Sequence, residues 1–350
     1  MKMTTAIPTL LQLGWKPFFA QQLSLDELEA LNVGRIVEHH RSTLLALSEQ
    51  GQHSLNMSPN TEKVCVGDWV LFDNDNRLIR TLERQSLFQR KAPGSKVSSQ
   101  FIAANVDSLI IVCSLNNDFN LNRIERYIAI AKEAQVEAIV VLTKADLCAD
   151  VDEKRQQVQA LDPLMMVHAI NALSAEELLP LNSYCKQGAT IAFLGSSGVG
   201  KSTLVNGLLG YQALETGEIR EDDSKGRHTT TYRALKVLPQ GGLLMDTPGM
   251  RELQLAECEQ GVSETFHEIV ALAQQCKFSD CSHTSEPNCA VQAAIESGEL
   301  SLRRLNSYQK LMKEQAFNSA TLSEKRAKDK AFGKMVNRVQ SEASSIKKGY

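Results

Sequence analysis

The pattern of hydrophobic and polar positions changes along the chain, and each change predicts a different kind of structure. Between residues 34 and 91, short alternating runs such as VCVGDWVLF (64–72) and RLIRTLE (77–83) are separated by polar turns. Alternation predicts half-buried strands, and several strands within about sixty residues suit a small β-barrel. An oligonucleotide-binding (OB) barrel is one candidate among several.

From Asp107 to about Asp246, fully apolar runs alternate with amphipathic stretches such as NRIERYIAIAKEA (122–134). Short apolar runs separated by helical patterns predict a parallel sheet with helices on both faces. The apolar runs are SLIIVCSL, EAIVVL, MMVHAI, ATIAFLG and LLMD.

The two ends of the chain are predicted to be helical. Residues 1 to about 32 predict a helical or loosely packed leader, with a capping Ser before LDELEALN. After about Ser263 the strand pattern stops, and helices surround a Cys/His cluster. We therefore expect a multidomain chain: a leader (1–33), an OB-fold-like barrel (34–95), an α/β domain (98–256) and a helical C-terminal domain (257–350).

Composition adds a charge asymmetry to this picture. The chain of 350 residues is 43% hydrophobic, enough for more than one core. Its formal net charge is -3, yet the segment from Arg303 onward has twelve Lys or Arg and four Asp or Glu. This basic end, with SEKRAKDKAFGKM at 323–335, predicts either contact with phosphates or a solvated charged helix.

Cysteine usage and hydropathy favour the cytoplasm. No stretch has the apolar length of a transmembrane helix, and Pro and Gln interrupt the N-terminal apolar run, so we expect no membrane span and no signal peptide. Five scattered cysteines suit reduced, mostly buried thiols. They are Cys65, Cys113, Cys148, Cys185 and Cys258.

A phosphate-binding loop follows the run ATIAFL and precedes the helical pattern STLVNGLL. Its residues complete G-x-x-x-x-G-K-[ST], in which backbone N–H groups surround phosphates at a helix N-terminus. Lys201 would neutralise the β- and γ-phosphate oxygens during catalysis, and Ser202 would bind Mg²⁺. The predicted nucleotide-binding residues are Gly195, Ser196, Ser197, Gly198, Val199, Gly200, Lys201, Ser202 and Thr203.

Two further stretches predict the γ-phosphate side of the site. DTPGM (246–250) follows a strand, so that Asp246 would join the magnesium shell and the Gly249 N–H would meet the γ-phosphate. GRHTTT (226–231) lies where a first switch belongs, and Thr229 or Thr230 would complete that shell. His228 would position water, or else is a solvated loop histidine. Met250 occupies the usual place of a water-positioning Gln, which predicts slow intrinsic turnover.

A base-reading motif, TKAD, ends the run EAIVVL. Asp146 would accept two hydrogen bonds from the N1 and N2 edge of guanine, which adenine lacks. A common polar turn is the alternative. Ser174 and Ala175, after MMVHAI, would offer a backbone N–H to the guanine carbonyl. The predicted base-binding residues are Thr143, Lys144, Ala145, Asp146, Ser174 and Ala175.

The order of these motifs is unusual, because the base-reading motif precedes the phosphate loop. A domain whose termini lie close together can be cut elsewhere and rejoined without changing its site. The order therefore predicts a circularly permuted P-loop GTPase domain. The strand before DTPGM then leads directly to the C-terminal domain, which would receive a movement that depends on the γ-phosphate.

The C-terminal cluster follows the pattern C-x4-C-x-H-x5-C. Three thiolates and one imidazole form a closed tetrahedral set for one structural zinc ion. Coincidental buried thiols are the alternative. The residues are Cys276, Cys281, His283 and Cys289.

With these motifs the chain resembles the ribosome small-subunit-dependent GTPase A family (RsgA, also called YjeQ). The resemblance covers about residues 34–333. It rests on GDWV (67–70), FIAANVDSLIIVCSL (101–115), TKAD, GSSGVGKSTL, GRHTTT, DTPGMREL and the Cys/His pattern.

The resemblance implies an OB barrel, a permuted GTPase domain and a zinc-binding helical domain. It also implies GTP and GDP with Mg²⁺, binding to the small (30S) ribosomal subunit and its 16S rRNA during late assembly, and release coupled to stimulated hydrolysis. It favours His228 as catalytic, because Met250 looks like the family's replacement for Gln. Thr143, where Asn is common, and an apolar leader in place of a basic one suggest a divergent paralogue. We expect a cytoplasmic monomer.

Two other functions compete with this GTPase. One is an rRNA-binding assembly factor whose nucleotide site is a slow or structural switch. The other is an ATP-using P-loop enzyme such as a kinase, for which TKAD and the Ser174–Ala175 pair would be accidents.

Overall fold

Strands of the barrel and of the α/β domain join in one continuous sheet. The computed structural model describes residues 7–40, 43–56, 63–91, 99–116, 118–211, 233–246 and 258–319. Two of the sheet's strands, Trp69–Phe72 and Leu78–Thr81, branch off at Asn32–His39. The other nine strands follow each other in the order Met166–Ile170, Glu137–Thr143, Ser108–Ser114, Thr190–Leu194, Leu243–Asp246, Arg233–Val237, Asn32–His39, Thr43–Ser48 and Gly51–Asn56. The mixed topology positions the barrel beside the predicted nucleotide-binding domain.

The barrel strands are antiparallel, as their alternating pattern predicts. They are β1 (Asn32–His39), β2 (Thr43–Ser48), β3 (Gly51–Asn56), β4 (Trp69–Phe72) and β5 (Leu78–Thr81). Strand β1 pairs with β2 and β4, β2 pairs with β3, and β4 pairs with β5. Their core includes Ile36, Leu44, Ala46, Val70 and Phe72.

A hairpin of β6 (Leu87–Lys91) and β7 (Ser99–Ala104) follows the barrel strands. The Ala104 N–H donates to the carbonyl of Val66, which ties the hairpin to the barrel. The domain boundary expected near residues 95–98 would fall between these two paired strands. It stays a prediction.

The leader is packed on the barrel. Its helices are α1 (Pro17–Ala20) and α2 (Leu25–Ala30), and the Ser24 hydroxyl accepts from the Glu27 N–H in a capping box. Leu13 and Phe19 are buried against Trp69. The predicted capping Ser thus begins a real helix.

The α/β domain has the predicted alternation. Its strands are β8 (Ser108–Ser114), β9 (Glu137–Thr143), β10 (Met166–Ile170), β11 (Thr190–Leu194), β12 (Arg233–Val237) and β13 (Leu243–Asp246). Its helices are α3 (Leu121–Glu133), α4 (Val151–Gln159) and α5 (Lys201–Leu209), with 3-10 helices at Ala145–Leu147 and Leu179–Tyr184. Strands β8 to β11 and β13 are parallel, and only β12 among these six is antiparallel to its neighbour.

A buried arginine connects the barrel with the α/β domain. Arg35 of β1 donates to the carbonyls of Leu13 (2.6 Å), Gly67 (3.2 Å) and Asn105 (2.8 Å) and to the Thr190 hydroxyl (2.9 Å). Beside it, β1 pairs with β12. Leader, barrel and the strand that precedes the phosphate loop therefore share one buried side chain.

The C-terminal part is helical in the portion that the structure describes. Its helices are α6 (Glu259–Thr265), α7 (His267–Ala273), α8 (Ala290–Glu296) and α9 (Leu302–Ser319). The Gly261 N–H donates to Glu133 Oε2 (2.8 Å), and a Cβ at Gly261 would lie 2.1 Å from the Ala129 carbonyl oxygen. Helix α6 therefore packs closely on α3. Across the described ranges, no helix combines the length and apolar character that crossing a membrane requires.

Candidate functional site

The sheet brings the predicted nucleotide motifs to one edge. The TKAD motif begins at the carboxyl end of β9, and the loop with Ser174 and Ala175 follows β10. The phosphate loop follows β11, and Asp246 ends β13, which is parallel to β11. Since the carboxyl ends of parallel strands meet at one edge, motifs that are distant and permuted in sequence become neighbours.

Glycines shape the phosphate loop between β11 and α5. Gly195 has φ +158°, and a Cβ there would lie 2.3 Å from the Val112 carbonyl oxygen. Gly198 and Gly200 have φ values of +76° and +92°, in the left-handed region, and nothing lies within 4 Å of a Cβ at Gly198. The chain can therefore curve around a ligand here, as residues with side chains could not without strain.

Lys201 lies in the concave side of this loop. Its Nζ donates to the Gly195 carbonyl (2.7 Å) and to the Ser196 carbonyl, and only 8% of the residue is exposed. These two carbonyl oxygens hold the ammonium group inside the loop. Ser202 and Thr203 follow in the first turn of α5 and are half-buried.

Thr143 joins the base motif to the phosphate loop. Its hydroxyl donates to the Val199 carbonyl (2.6 Å), and the residue is fully buried. The sequence predicts Thr143 as a base-binding residue at a position where Asn is common. In the structure its hydroxyl joins the two motifs to each other.

Asp146, the acidic residue of the base motif, is exposed. Lys144 adopts a left-handed conformation (φ +60°), and Ala145 and Asp146 lie in the 3-10 helix that follows. Asp146 and Ala175 are exposed, and the Ser174 N–H donates to the Asn171 carbonyl (3.0 Å). An exposed carboxylate at this edge is accessible to a base.

The γ-phosphate side of the predicted site is largely outside the described residues. Asp246 is the last residue of β13, and its backbone position is described. The residues beyond the described ranges are His228, Thr229, Thr230, Gly249 and Met250, together with the basic segment 323–335. Their proposed roles stay predictions.

An arginine that the sequence reasoning missed contacts the phosphate loop. Arg123 Nη1, in the first turn of α3, donates to Ser196 Oγ (2.7 Å) and to Asp118 Oδ1 (2.5 Å). The hydrogen bond to Asp118 raises the pKa of Arg123. In the sequence, this arginine is one of several charged positions in an amphipathic helix, so nothing distinguished it.

The four predicted metal ligands converge between α7 and α8. The ligand atoms of Cys276, Cys281, His283 and Cys289 all lie within 4.8 Å of one another. The Cys276 and Cys289 sulfurs are 3.8 Å apart, and His283 Nδ1 lies 3.6 Å and 3.4 Å from them. A cluster of three sulfurs and one imidazole nitrogen at these distances can hold one metal ion.

Other cysteines have a different environment. Burial raises the pKa of Cys185 to about 11 and that of Cys258 to about 12. Cys65 and Cys113 are also buried, and Cys148 is half-buried. The Cys185 and Cys258 thiols are therefore protonated and packed in the core, as expected for structural cysteines.

Two family models match the chain. The RsgA GTPase model matches residues 81–256, which include TKAD, the phosphate loop and DTPGM. An ABC transporter model matches residues 178–336, a smaller share of the chain that also contains the phosphate loop. Both matches include the phosphate loop, and the RsgA match covers all the nucleotide motifs.

Relatives and solved structures agree with the first of these models. A Vibrio parahaemolyticus protein named small ribosomal subunit biogenesis GTPase RsgA 2 is 58% identical, over 97% of this chain and 95% of its own length. A Mesorhizobium japonicum protein named small ribosomal subunit biogenesis GTPase RsgA is 43% identical, over 91% and 94%. The crystal structure of YjeQ from Thermotoga maritima is similar with a TM-score of 0.61 and 25% identity, over 81% of this chain and 98% of that one.

A second solved structure supports the fold. YloQ, described as a circularly permuted GTPase, has a TM-score of 0.58 and 23% identity, over 83% of this chain and 96% of its own. The permuted order expected from the sequence is thus the order of a known architecture.

Proposed function

The chain belongs to the RsgA GTPase family, and from this membership we propose that it is a GTPase that acts in the biogenesis of the small ribosomal subunit. The single observation that carries the proposal in the structure is the hydrogen bond from Thr143 to Val199. It fixes a base-reading motif against a phosphate loop, as one nucleotide site requires.

The nucleotide would bind along the carboxyl edge of the sheet. Loop N–H groups and Lys201 would bind the β- and γ-phosphates, and the Gly249 N–H would meet the γ-phosphate. When bound, Mg²⁺ would neutralise charge on these phosphates. The residues proposed to hold it are Ser202, Asp246 and Thr229 or Thr230.

Guanine selectivity rests on Asp146 in this proposal. Its exposed carboxylate would accept from the guanine N1 and N2 groups, while Ser174 and Ala175 would approach the carbonyl. Competition between GTP and ATP for the purified protein tests the assignment. We expect GTP to be strongly preferred, and a preference for ATP would favour the kinase alternative.

Hydrolysis would depend on Lys201 and, we propose, on His228 as the group that positions water. Met250 has no hydrogen bond to offer a water molecule, so unstimulated turnover should be slow. Lys201→Ala should abolish turnover because the β- and γ-phosphate charge is then uncompensated. Near-normal hydrolysis by that variant would refute the assignment.

The Cys/His cluster would hold one structural zinc ion. Tetrahedral zinc with Zn–S bonds of about 2.3 Å places sulfur atoms about 3.8 Å apart. The distance of 3.8 Å between the Cys276 and Cys289 sulfurs fits this tetrahedral arrangement. Metal analysis should find one zinc per chain, and a chain without bound metal would exclude the site.

The names of similar proteins support an action on the small ribosomal subunit. The proteins that are 58% and 56% identical are both named RsgA 2, which favours a paralogue that acts on the small ribosomal subunit. We infer that a monomer in the cytoplasm contacts 16S rRNA through its barrel and C-terminal domain. The alternative is an rRNA-binding assembly factor with a slow nucleotide switch.

The permutation would couple the nucleotide to the C-terminal domain. Strand β13 ends at Asp246, and α6 begins at Glu259 on the surface of α3. Residues 247–257 therefore connect the γ-phosphate side of the site with the metal-bearing helices. A change in the bound nucleotide would be transmitted along this short connection.

A further inference from the structure

The phosphate loop has a cationic contact that its motif does not include. Arg123 Nη1 lies 2.7 Å from Ser196 Oγ, the side chain of the second residue of the loop. Arg123 belongs to α3 and lies 73 residues before Ser196 in the chain. The contact therefore depends on the fold and not on the local sequence of the loop.

The arginine is fixed from its other side by a chain of hydrogen bonds. Asp118 Oδ1 accepts from Arg123 Nη1 (2.5 Å), and the Asp118 N–H donates to Asn116 Oδ1 (3.1 Å). That amide oxygen also accepts from the hydroxyl of Ser114 (2.6 Å), the last residue of β8. Strand β8 is the neighbour of β11 in the sheet. The guanidinium is thus anchored to the same sheet edge that carries the loop.

Ser196 is consequently held at two atoms. Its hydroxyl oxygen accepts from Arg123, and its carbonyl oxygen accepts from Lys201. A nucleotide phosphate would add an acceptor for Lys201, whose ammonium group has three N–H donors and gives two of them to the loop carbonyls. The contact with Arg123 involves a different atom and can persist when Lys201 binds a phosphate.

We propose that Arg123 is a positioning residue of the nucleotide site: it holds the phosphate loop through Ser196 while Lys201 binds the phosphates. This inference rests on the proposed GTPase function. Arginine suits the role, since one planar guanidinium stays charged and can satisfy Asp118 and Ser196 together.

The test is a double-mutant cycle on nucleotide affinity. Dissociation constants for a fluorescent GDP analogue and for a non-hydrolysable GTP analogue are measured on the full chain and on Arg123→Gln, Ser196→Ala and the double variant. Loss of one charge-assisted hydrogen bond at a partly exposed site should weaken binding about three- to tenfold in each single variant. The double variant should bind the nucleotide analogues no more weakly than the single variant with the lower affinity.

Two matched variants separate this role from general damage. Arg123→Lys keeps the charge but loses the fork, and should recover part of the affinity. Arg155→Gln removes an exposed arginine of α4 whose partner is Asp152 (3.7 Å), and should bind like the unmodified chain. Turnover at saturating GTP should change less than KM, since the loop is positioned again once it is filled.

Unchanged affinity in Arg123→Gln and Ser196→Ala, or fully additive losses, would overturn the inference. If Arg123→Gln unfolds, Ser196→Ala decides, because it removes a single oxygen. Failure of the unmodified chain to bind guanine nucleotides would instead refute the proposed function, so the two failures are distinguishable.

Discussion

The two junctions of the α/β domain are built on buried charges of opposite sign. At the barrel junction, Arg35 is 1% exposed, and its hydrogen bonds go to three carbonyls and one hydroxyl. Burial lowers its pKa to about 10, which still leaves it protonated near neutral pH, while the charges of Asp107 and Asp68 oppose that shift. The cation is held by neutral oxygens of surrounding backbone.

At the C-terminal junction, the buried group is an anion with cationic partners. Glu125 of α3 accepts from Arg303 (2.9 Å and 3.0 Å), from Arg304 (2.8 Å) and from the Ser307 hydroxyl (2.5 Å). Arg304 also donates to Glu268 (2.6 Å) and lies over the ring of Phe266. All these partners lie in the C-terminal part, in α7 and α9 or, for Phe266, between α6 and α7.

The two junctions also differ in the kind of contact that would have to break if they separated. The barrel shares a sheet with the α/β domain through the pairing of β1 with β12, so parting them breaks backbone hydrogen bonds. The described C-terminal helices meet α3 through side chains and the close contact at Gly261. A domain held by side-chain pairs is the better candidate for a nucleotide-dependent movement.

The largest effect should come from Glu125→Ala. Removal of the carboxylate leaves the buried Arg304 without one of its anionic partners, and breaking a buried pair costs about 3–5 kcal/mol. Urea unfolding should show this loss together with early release of α9 in hydrogen exchange. Glu153→Ala, at an exposed position of α4, is the control and should be near neutral. If Glu125→Ala leaves the free energy of unfolding unchanged, the contacts of Glu125 with Arg303 and Arg304 do not hold the junction.

A somewhat smaller effect is expected for Arg35→Met. The apolar side chain of similar length avoids burying a charge but leaves several acceptors unpaired, for a loss of about 3 kcal/mol. Because Thr190 begins the strand before the phosphate loop, hydrogen exchange should rise in both barrel and β11. Protection lost in the barrel alone would contradict a shared junction.

Arg303→Gln compares the two arginines that pair with Glu125. Arg303 is 36% exposed in its side chain, and Arg304 remains to pair with Glu125. We expect a loss of about 1 kcal/mol by urea unfolding, since a partly exposed ion pair contributes little. A loss as large as that of Glu125→Ala would mean that Arg303, and not Arg304, contributes most of the stability of the Glu125 ion pairs.

The smallest effect should come from a half-buried surface pair, Glu27 with Arg80 (2.7 Å). Hydrogen bonds from the Arg80 side chain and the Ser24 N–H lower the pKa of Glu27 from 4.5 to about 2. A lowered carboxyl pKa stabilises the fold above pH 4.5, and this contribution is lost as the pH falls towards 2. Thermal unfolding of Glu27→Gln should therefore show a slightly lower melting temperature at pH 7 and a difference that shrinks below pH 4.5. A difference that grows on acidification would contradict this sign.

The sequence predicted the parts of the site that local motifs encode. The loop Gly195–Ser202 and the Cys/His pattern have fixed spacing, and the order of motifs predicted the permuted sheet. The sequence did not predict the contacts made by Arg35, Thr143 or Glu125. Each depends on partners that are 22 to 182 residues away, and hydrophobic periodicity does not say which charged position of a strand or helix is buried.

The most direct test of the central claim is GTP hydrolysis by the purified chain, with and without salt-washed small ribosomal subunits. A GTPase of subunit biogenesis should turn over slowly alone and be strongly stimulated by the subunits, and Lys201→Ala should abolish both rates. Subunits that bind without changing the turnover would contradict the account and favour an rRNA-binding factor with a structural nucleotide switch.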